Sequence, residues 1–226
     1  MTLVVEPVDP NTAPPERGSA PALPAAIDHP VWLVRHAPTT WTGRRWCGRA
    51  DPPLSRDGHA LARQVAARLA PELPGTTIVR SSPARRASST ARAIARAAQL
   101  TFAICPELVE VDVGRVEGLT WGELSTREPA VVRAIGRGHP IDWPDGESSA
   151  AVADRARRVA DGIREDAIAR PVLIVSHGAF LHALVAALAE PDPAVALAPA
   201  LVARSAPLHA GGVLRLVPRA STAPSA

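Results

Sequence analysis

Val31-Trp-Leu-Val-Arg-His36 is a run of four apolar residues that ends in a cation and an imidazole. It is too short for a helix and rich in β-branched and aromatic side chains, so it predicts a buried strand with polar groups at its C-terminal end. The pattern recurs twice. Thr76-Thr-Ile-Val79 leads into Arg80-Ser-Ser-Pro83, with Arg86 just beyond, and Val172-Leu-Ile-Val175 leads into Ser176-His177-Gly178. Helical stretches separate these runs. Ser55 can cap a helix whose apolar face is Leu61, Val65 and Leu69, at spacing four, and Pro71 and Pro74-Gly75 end it. Arg86–Gln99 is alanine-rich and predicts a second helix, Thr101–Ile104 a short strand, Ser148–Ala169 a long helix and Phe180–Leu188 another. Gly212–Val217 reads as an edge strand. Residues 105–147 read as a loop-and-helix insertion over the sheet edge. Strands alternating with helices predict an α/β class with a mainly parallel, covered sheet.

In open α/β sheets ligands bind outside the C-terminal ends of the strands. The three polar clusters therefore predict one convergent site with two guanidiniums, Arg35 and Arg86, and two imidazoles, His36 and His177. Such a site suits a dianion, of which phosphate is the common one. Arginine grips phosphate oxygens in a fork and stays charged at any physiological pH. A neutral imidazole can attack phosphorus, and the surrounding cations stabilise the equatorial oxygens of the transition state. The leaving alkoxide needs a proton from a carboxylic acid near the mouth. Glu110 is the first candidate and Asp112 the second. Each residue taken singly has a bland reading: a capped strand end, a plain turn, a solvated arginine, a surface acid. The combination, in order and at strand ends, carries the weight.

The bulk numbers narrow the class. The chain has 226 residues, 46% of them hydrophobic, which is enough for one domain with a sizeable core. The expected organisation is a proline- and alanine-rich disordered tail over 1–28, a folded domain over 29–218 and a second tail over 219–226. No apolar run reaches membrane-span length, and the N-terminus lacks a signal-peptide pattern, so no membrane partner and a cytoplasmic location are expected. All 25 basic residues are arginine and the formal net charge is only +3. The arginines are interspersed with acids and form no aromatic-interleaved stripe, so no nucleic-acid partner is expected. Cys47 and Cys105 lie outside any metal-knuckle or redox spacing and read as free thiols.

Six stretches in order resemble the histidine phosphatase superfamily, the phosphoglycerate-mutase-like fold. They are Arg35-His36-Ala37-Pro38-Thr39, Asp51-Pro52-Pro53-Leu54-Ser55 through Gly58, Ser81-Ser82-Pro83 through Thr90-Ala91, Leu108 through Gly118, Pro144-Asp145-Gly146-Glu147-Ser148, and Val175-Ser176-His177-Gly178. The resemblance covers nearly all of His29 to Leu188. It implies a three-layer sandwich with helices on both faces of the sheet. It also implies His36 as nucleophile, Arg35, Arg86 and His177 around the phosphoryl group, Glu110 as general acid, Thr42 and Gly178 as substrate contacts, and neither metal nor cofactor. Two positions depart from the family pattern. Ala37 stands where a glycine is usual, which implies a small change in backbone room at the pocket, and Thr42 stands for an asparagine that touches the phosphate.

The implied activity is that of a phosphomonoesterase acting on a small phosphorylated substrate. The alternatives are a phosphoglycerate-type mutase and a catalytically silent phospho-ligand-binding domain. The segment after Glu110 is short and lacks the mutase tyrosine, and a mere binder needs only the cations. Specificity is expected from residues 105–147 and from the loop Trp41–Arg49, with Trp46, Trp121 and Trp143 either lining that region or covering the sheet edge. The sequence sets no oligomeric state.

Overall fold

The computed structural model describes residues 2–6 (as backbone), 27–137, 139–189 and 208–217. The strands are β1 (Thr2–Glu6), β2 (Val31–Arg35), β3 (Ile78–Ser81), β4 (Ala103–Ile104), β5 (Val172–Ser176) and β6 (Val213–Val217). The helices are α1 (Arg56–Leu69), α2 (Arg85–Ala97), α3 (Trp121–Arg127), α4 (Pro129–Arg137), α5 (Ser149–Ala169) and α6 (Gly178–Ala189). The sheet runs β1-β6-β2-β5-β3-β4. Strands β2, β5, β3 and β4 are mutually parallel, while β6 is antiparallel to β2 and β1 antiparallel to β6.

Alternate residues of β2 serve two cores, as the two-residue period of a strand requires. Trp32 and Val34 join Val65, Leu69 and Ile94 beneath α1 and α2. Val31 and Leu33 join Ile163, Phe180 and Leu184 beneath α5 and α6. All five residues of β5 are buried, and full burial of side chains such as Leu173 and Ile174 contributes roughly 1.5–3 kcal/mol each. The result is the three-layer α/β sandwich expected from the sequence. A third cluster (Val113, Val116, Leu119, Leu124 and Val131) gives the 105–147 insertion a small core of its own.

Several local expectations change. Thr2–Glu6 lies within the segment expected to be a tail, yet it pairs with β6 from Thr2↔Val217 to Glu6↔Val213. That pairing moves β6 from the expected edge to the interior. Packing also reaches back past His29, because Ile27 is buried and Asp28 and His29 both donate to the Ala167 carbonyl at the end of α5. Residues 7–26 and the expected tail 219–226 lie outside the described residues. Strand β3 begins at Ile78 rather than Thr76, because the Thr77 amide and hydroxyl both turn back to the Pro74 carbonyl. Helix α2 ends two residues early, where Gln99 takes a left-handed φ of 56°. Among the described residues, no helix is long and apolar enough to cross a membrane.

Candidate active site

The C-terminal ends of β2, β3 and β5 are tied to one another. His36 N–H donates to Ser176 O at 2.9 Å, and Ser82 N–H donates to Val175 O at 3.0 Å. Ser82 Oγ lies 2.7 Å from His177 Nε2. The His36 and His177 rings meet edge to face, with centroids 5.1 Å apart. His36 Nδ1 lies 2.8 Å from the Ala37 carbonyl. A carbonyl only accepts, so Nδ1 carries the hydrogen and Nε2 keeps its lone pair. Burial, with Arg86 and Arg35 nearby, pushes the His36 pKa down to about 3, although the Ala37 hydrogen bond acts the other way. His177 is shifted well below the usual histidine range by burial first, then by Arg86, His36 and Arg35. Both rings are therefore neutral at pH 7 in the free protein.

These shifts predict an acid sensitivity. A histidine whose pKa is depressed on folding contributes its stability above the unfolded value near 6.5, and that stability is lost as pH falls toward the folded value. Urea midpoints are expected to fall between pH 7 and pH 5, above the carboxylate range, with each such imidazole costing up to about 1.4 kcal/mol per pH unit. His36→Asn is expected to flatten the slope. An unchanged slope in that variant would show that His36 is not the group responsible.

Arg86 is 1% exposed. Its terminal nitrogens donate to Ala50 O at 2.5 Å and Gly48 O at 2.8 Å. Those two carbonyls are themselves held. The Glu117 carboxylate accepts the amides of Gly48 (3.0 Å), Arg49 (2.7 Å) and Ala50 (3.0 Å), so one buttressed loop orients the guanidinium. Arg85 is exposed; its amide donates to Asp51 and its carbonyl accepts from Ser88 Oγ. Arg35 donates to Leu208 O at 2.8 Å, and burial lowers its pKa despite Glu110. Among the described residues, Arg35 Nε, Arg86 Nε and His177 Nδ1 are buried without a hydrogen-bond partner. Unpartnered buried atoms also occur far from this site, such as Trp32 Nε1 and Arg215 Nε; those whose residues line the cavity are Arg35 Nε and His182 Nε2, which are left for a polar ligand.

Glu110 is 8% exposed and sits at the start of α6. Its Oε1 accepts Val111 N–H and Phe180 N–H at 2.9 Å, and its Oε2 accepts only Ala179 N–H, at 3.2 Å. Oε2 is thus the less engaged of the two oxygens. The backbone that presents it is clamped by Arg155, which donates to Glu107 O and Val109 O at 2.8 Å. Arg155 also grips Glu147 through two nitrogens at 2.9 Å and lies 4.1 Å from the Phe180 ring centroid. Burial raises the Glu147 pKa, but Arg155 and the Asp112 amide outweigh it, for a net lowering. Asp112, the second candidate acid, instead turns its carboxylate onto the Gly114 amide at 2.9 Å and does not line the cavity.

The cavity measures about 450 Å³ and is lined at one end by Arg35, His36, Glu110 and Gly178. Gly178 is there for room, since a Cβ would stand 2.9 Å from Arg35 Cζ. Thr42 lies on the rim, where its hydroxyl oxygen accepts the Thr39 amide at 2.8 Å and shapes the turn. Ala37 does not crowd the cavity as its departure from glycine implied. Its methyl packs with Leu54 and Ala62, and its amide donates to Thr90 Oγ1 at 3.1 Å. Gly58 lets α1 press on the same loop, because a Cβ there would collide with the Pro38 carbonyl. Thr90, Ser82, Glu117 and Arg155 were not singled out as site residues in the sequence, because each works through a backbone group or another side chain.

A covered parallel sheet whose strand ends gather guanidiniums, neutral imidazoles and one carboxyl is an α/β scaffold suited to an anionic ligand. The comparisons with known proteins agree. The histidine phosphatase superfamily (branch 1) profile matches residues 31–201, and the chain belongs to that superfamily. A bifunctional protein of Mycobacterium tuberculosis is 38% identical over 146 residues, 64% of this chain but only 40% of that relative, so this chain spans less than half of its length. A probable phosphoglycerate mutase, GpmB, of Enterobacter sp. (strain 638) is 36% identical over 161 residues, covering 70% of this chain and 74% of the relative. Among solved structures, a mycobacterial glucosyl-3-phosphoglycerate phosphatase superposes with TM-score 0.65 at 32% identity, covering 76% of this chain and 84% of that one.

Arg86→Ala is expected to cut kcat/KM by on the order of 10²-fold, and Arg85→Ala to leave it nearly unchanged. Phosphate release from nitrophenyl phosphate measures both. Equal losses would argue against a place for Arg86 beside a phosphoryl group.

Proposed function

We propose that this chain is a metal-independent phosphomonoesterase that acts on a small phosphorylated metabolite through a phosphohistidine on His36. The observation that carries the reading is the committed tautomer of His36: Nδ1 is spent on the Ala37 carbonyl, and Nε2 is neutral beside two guanidiniums. In the first step Nε2 bonds to phosphorus, the P–O bond of the ester breaks, and the Glu110 carboxyl gives its proton to the departing oxygen. In the second, water attacks phosphorus, Glu110 takes a proton from it, and the P–N bond breaks to release inorganic phosphate. Arg35, Arg86 and His177 hold the equatorial oxygens, work that a divalent cation performs in other phosphoryl-transfer sites.

The test is phosphate release from a panel of phosphate esters with a metal chelator present, together with trapping of the intermediate. An acid-labile, base-stable label on the peptide that contains His36 is expected. Label on Ser81, Ser82 or Asp112 would move the nucleophile there. An isomerised product without inorganic phosphate would make the chain a mutase, and binding without either would make it a silent phospho-ligand domain.

A further inference from the structure

The chain contains five tryptophans, two phenylalanines and no tyrosine. Trp32 is in the core, and the other four (Trp41, Trp46, Trp121 and Trp143) all line the cavity that holds His36. A chain so poor in aromatics has concentrated them on one wall. Trp46 and Trp121 stack with centroids 5.9 Å apart at 26°, and Trp143 leans on Trp46 at 5.9 Å and 55°. The wall is built on rigid backbone. Trp46 N–H donates to Leu119 O at 2.8 Å, and its carbonyl accepts Gly118 N–H at 3.0 Å. Trp121 opens α3 within the Thr120–Glu123 capping box. Little ordering would accompany ligand binding to such a surface. Trp121 nonetheless stays 53% exposed at the mouth, and an exposed indole next to a polar pocket marks a surface awaiting an apolar face.

The cavity, at about 450 Å³, has the size of a small-molecule site rather than of a phosphoryl group alone. Glu110 is the sole carboxylate among the residues that line it, against Arg35, Arg44 and Arg45, so an anionic ligand fits its charge. With the phosphoryl group beside Arg35 and His36, the alcohol part of an ester must lie along the indoles. A sugar presents a flat C–H face to them, and a heterocyclic base presents a π face. An acyclic polar alcohol presents neither and would set its hydroxyls against the indoles.

Building on the phosphomonoesterase reading, we infer that Trp46, Trp121 and Trp143 form a subsite that selects phosphate esters whose alcohol carries a ring. The test compares three primary alkyl phosphates of similar leaving-group chemistry: a hexose 6-phosphate, a nucleoside 5′-monophosphate and glycerol phosphate. At least one ring ester is expected to exceed glycerol phosphate in kcat/KM by about 3- to 10-fold, the worth of one aromatic contact. The better ring ester identifies whether sugar or base meets the wall. Trp121→Ala is expected to collapse that preference through KM, and Trp121→Phe to restore most of it. Glycerol phosphate matching both ring esters, or Trp121→Ala lowering all three alike, overturns the subsite. Tryptophan emission separates the two ideas. A ring ester that quenches emission but releases no phosphate keeps the subsite and removes the phosphatase reading, whereas turnover with no ring preference does the reverse.

Discussion

His36→Ala is expected to reduce phosphate release to background while the protein remains folded. The nucleophile is lost outright: His177 Nε2 faces Ser82 and Glu110 is pinned by three backbone amides, so His182, the other imidazole that lines the cavity, is the group that any retained turnover would point to. Loss of a covalent nucleophile that works as a unit with its neighbours costs on the order of 10⁴-fold or more. The structural cost is smaller. The imidazole makes one hydrogen bond, to the carbonyl of the next residue, and its removal leaves that acceptor unmet, for about 1–3 kcal/mol. A domain with the usual margin of roughly 5–15 kcal/mol survives that. Circular dichroism and a urea midpoint check the fold, and single-turnover trapping checks the intermediate. A folded variant that keeps near-parental turnover would refute the nucleophile assignment.

Why were some parts of this site readable in the sequence while others were not? His36 and His177 each follow an unbroken apolar run, so their meeting could be read from strand-end position, whereas Arg86 lies in the first turn of α2 beyond the shorter Ile78-Val79 run of β3. Arg86 and Arg85 could be told apart only by motif spacing, and the structure separates them into a buried guanidinium and an exposed one. Strand β1 was hidden for a different reason. Among the described residues its partner is β6, at the other end of the chain, and a pairing across that distance leaves no local pattern in a proline- and alanine-rich segment. Glu117 was hidden because it binds three backbone amides, and amides look the same at every position. The same holds for Thr90 on the Ala37 amide and for Arg155 on the Glu107 and Val109 carbonyls. Side chains that touch the reacting group carry a chemical signature in the sequence. Those that hold the backbone in place do not.

Glu110→Gln is the variant whose effect depends most on the substrate. Glutamine preserves size, and its carbonyl oxygen can still accept the Val111 and Phe180 amides, but its NH2 then faces the Ala179 amide that Oε2 accepted, so a urea midpoint accompanies the rate measurements. Its amide cannot give a proton to a leaving group. An alkoxide from a sugar or serine phosphate leaves poorly without one, whereas nitrophenolate is stable as an anion. Phosphoenzyme formation from an alkyl phosphate is therefore expected to slow by about 10²–10⁴-fold, the range of general acid catalysis, and formation from nitrophenyl phosphate far less. Dephosphorylation slows with both, because the same carboxylate activates the water, so steady-state rates mix the two effects. Burst kinetics separate them. A burst that stays fast with the aryl ester and nearly vanishes with the alkyl ester places the proton on Glu110. Equal slowing of both bursts would leave Glu110 a role in binding alone. Asp112 could not then take over in its present place, because its carboxylate is turned onto the Gly114 amide and away from the cavity. The proton would have to come from solvent, and the alkyl-ester rate would follow the pH of the medium instead of a group on the protein.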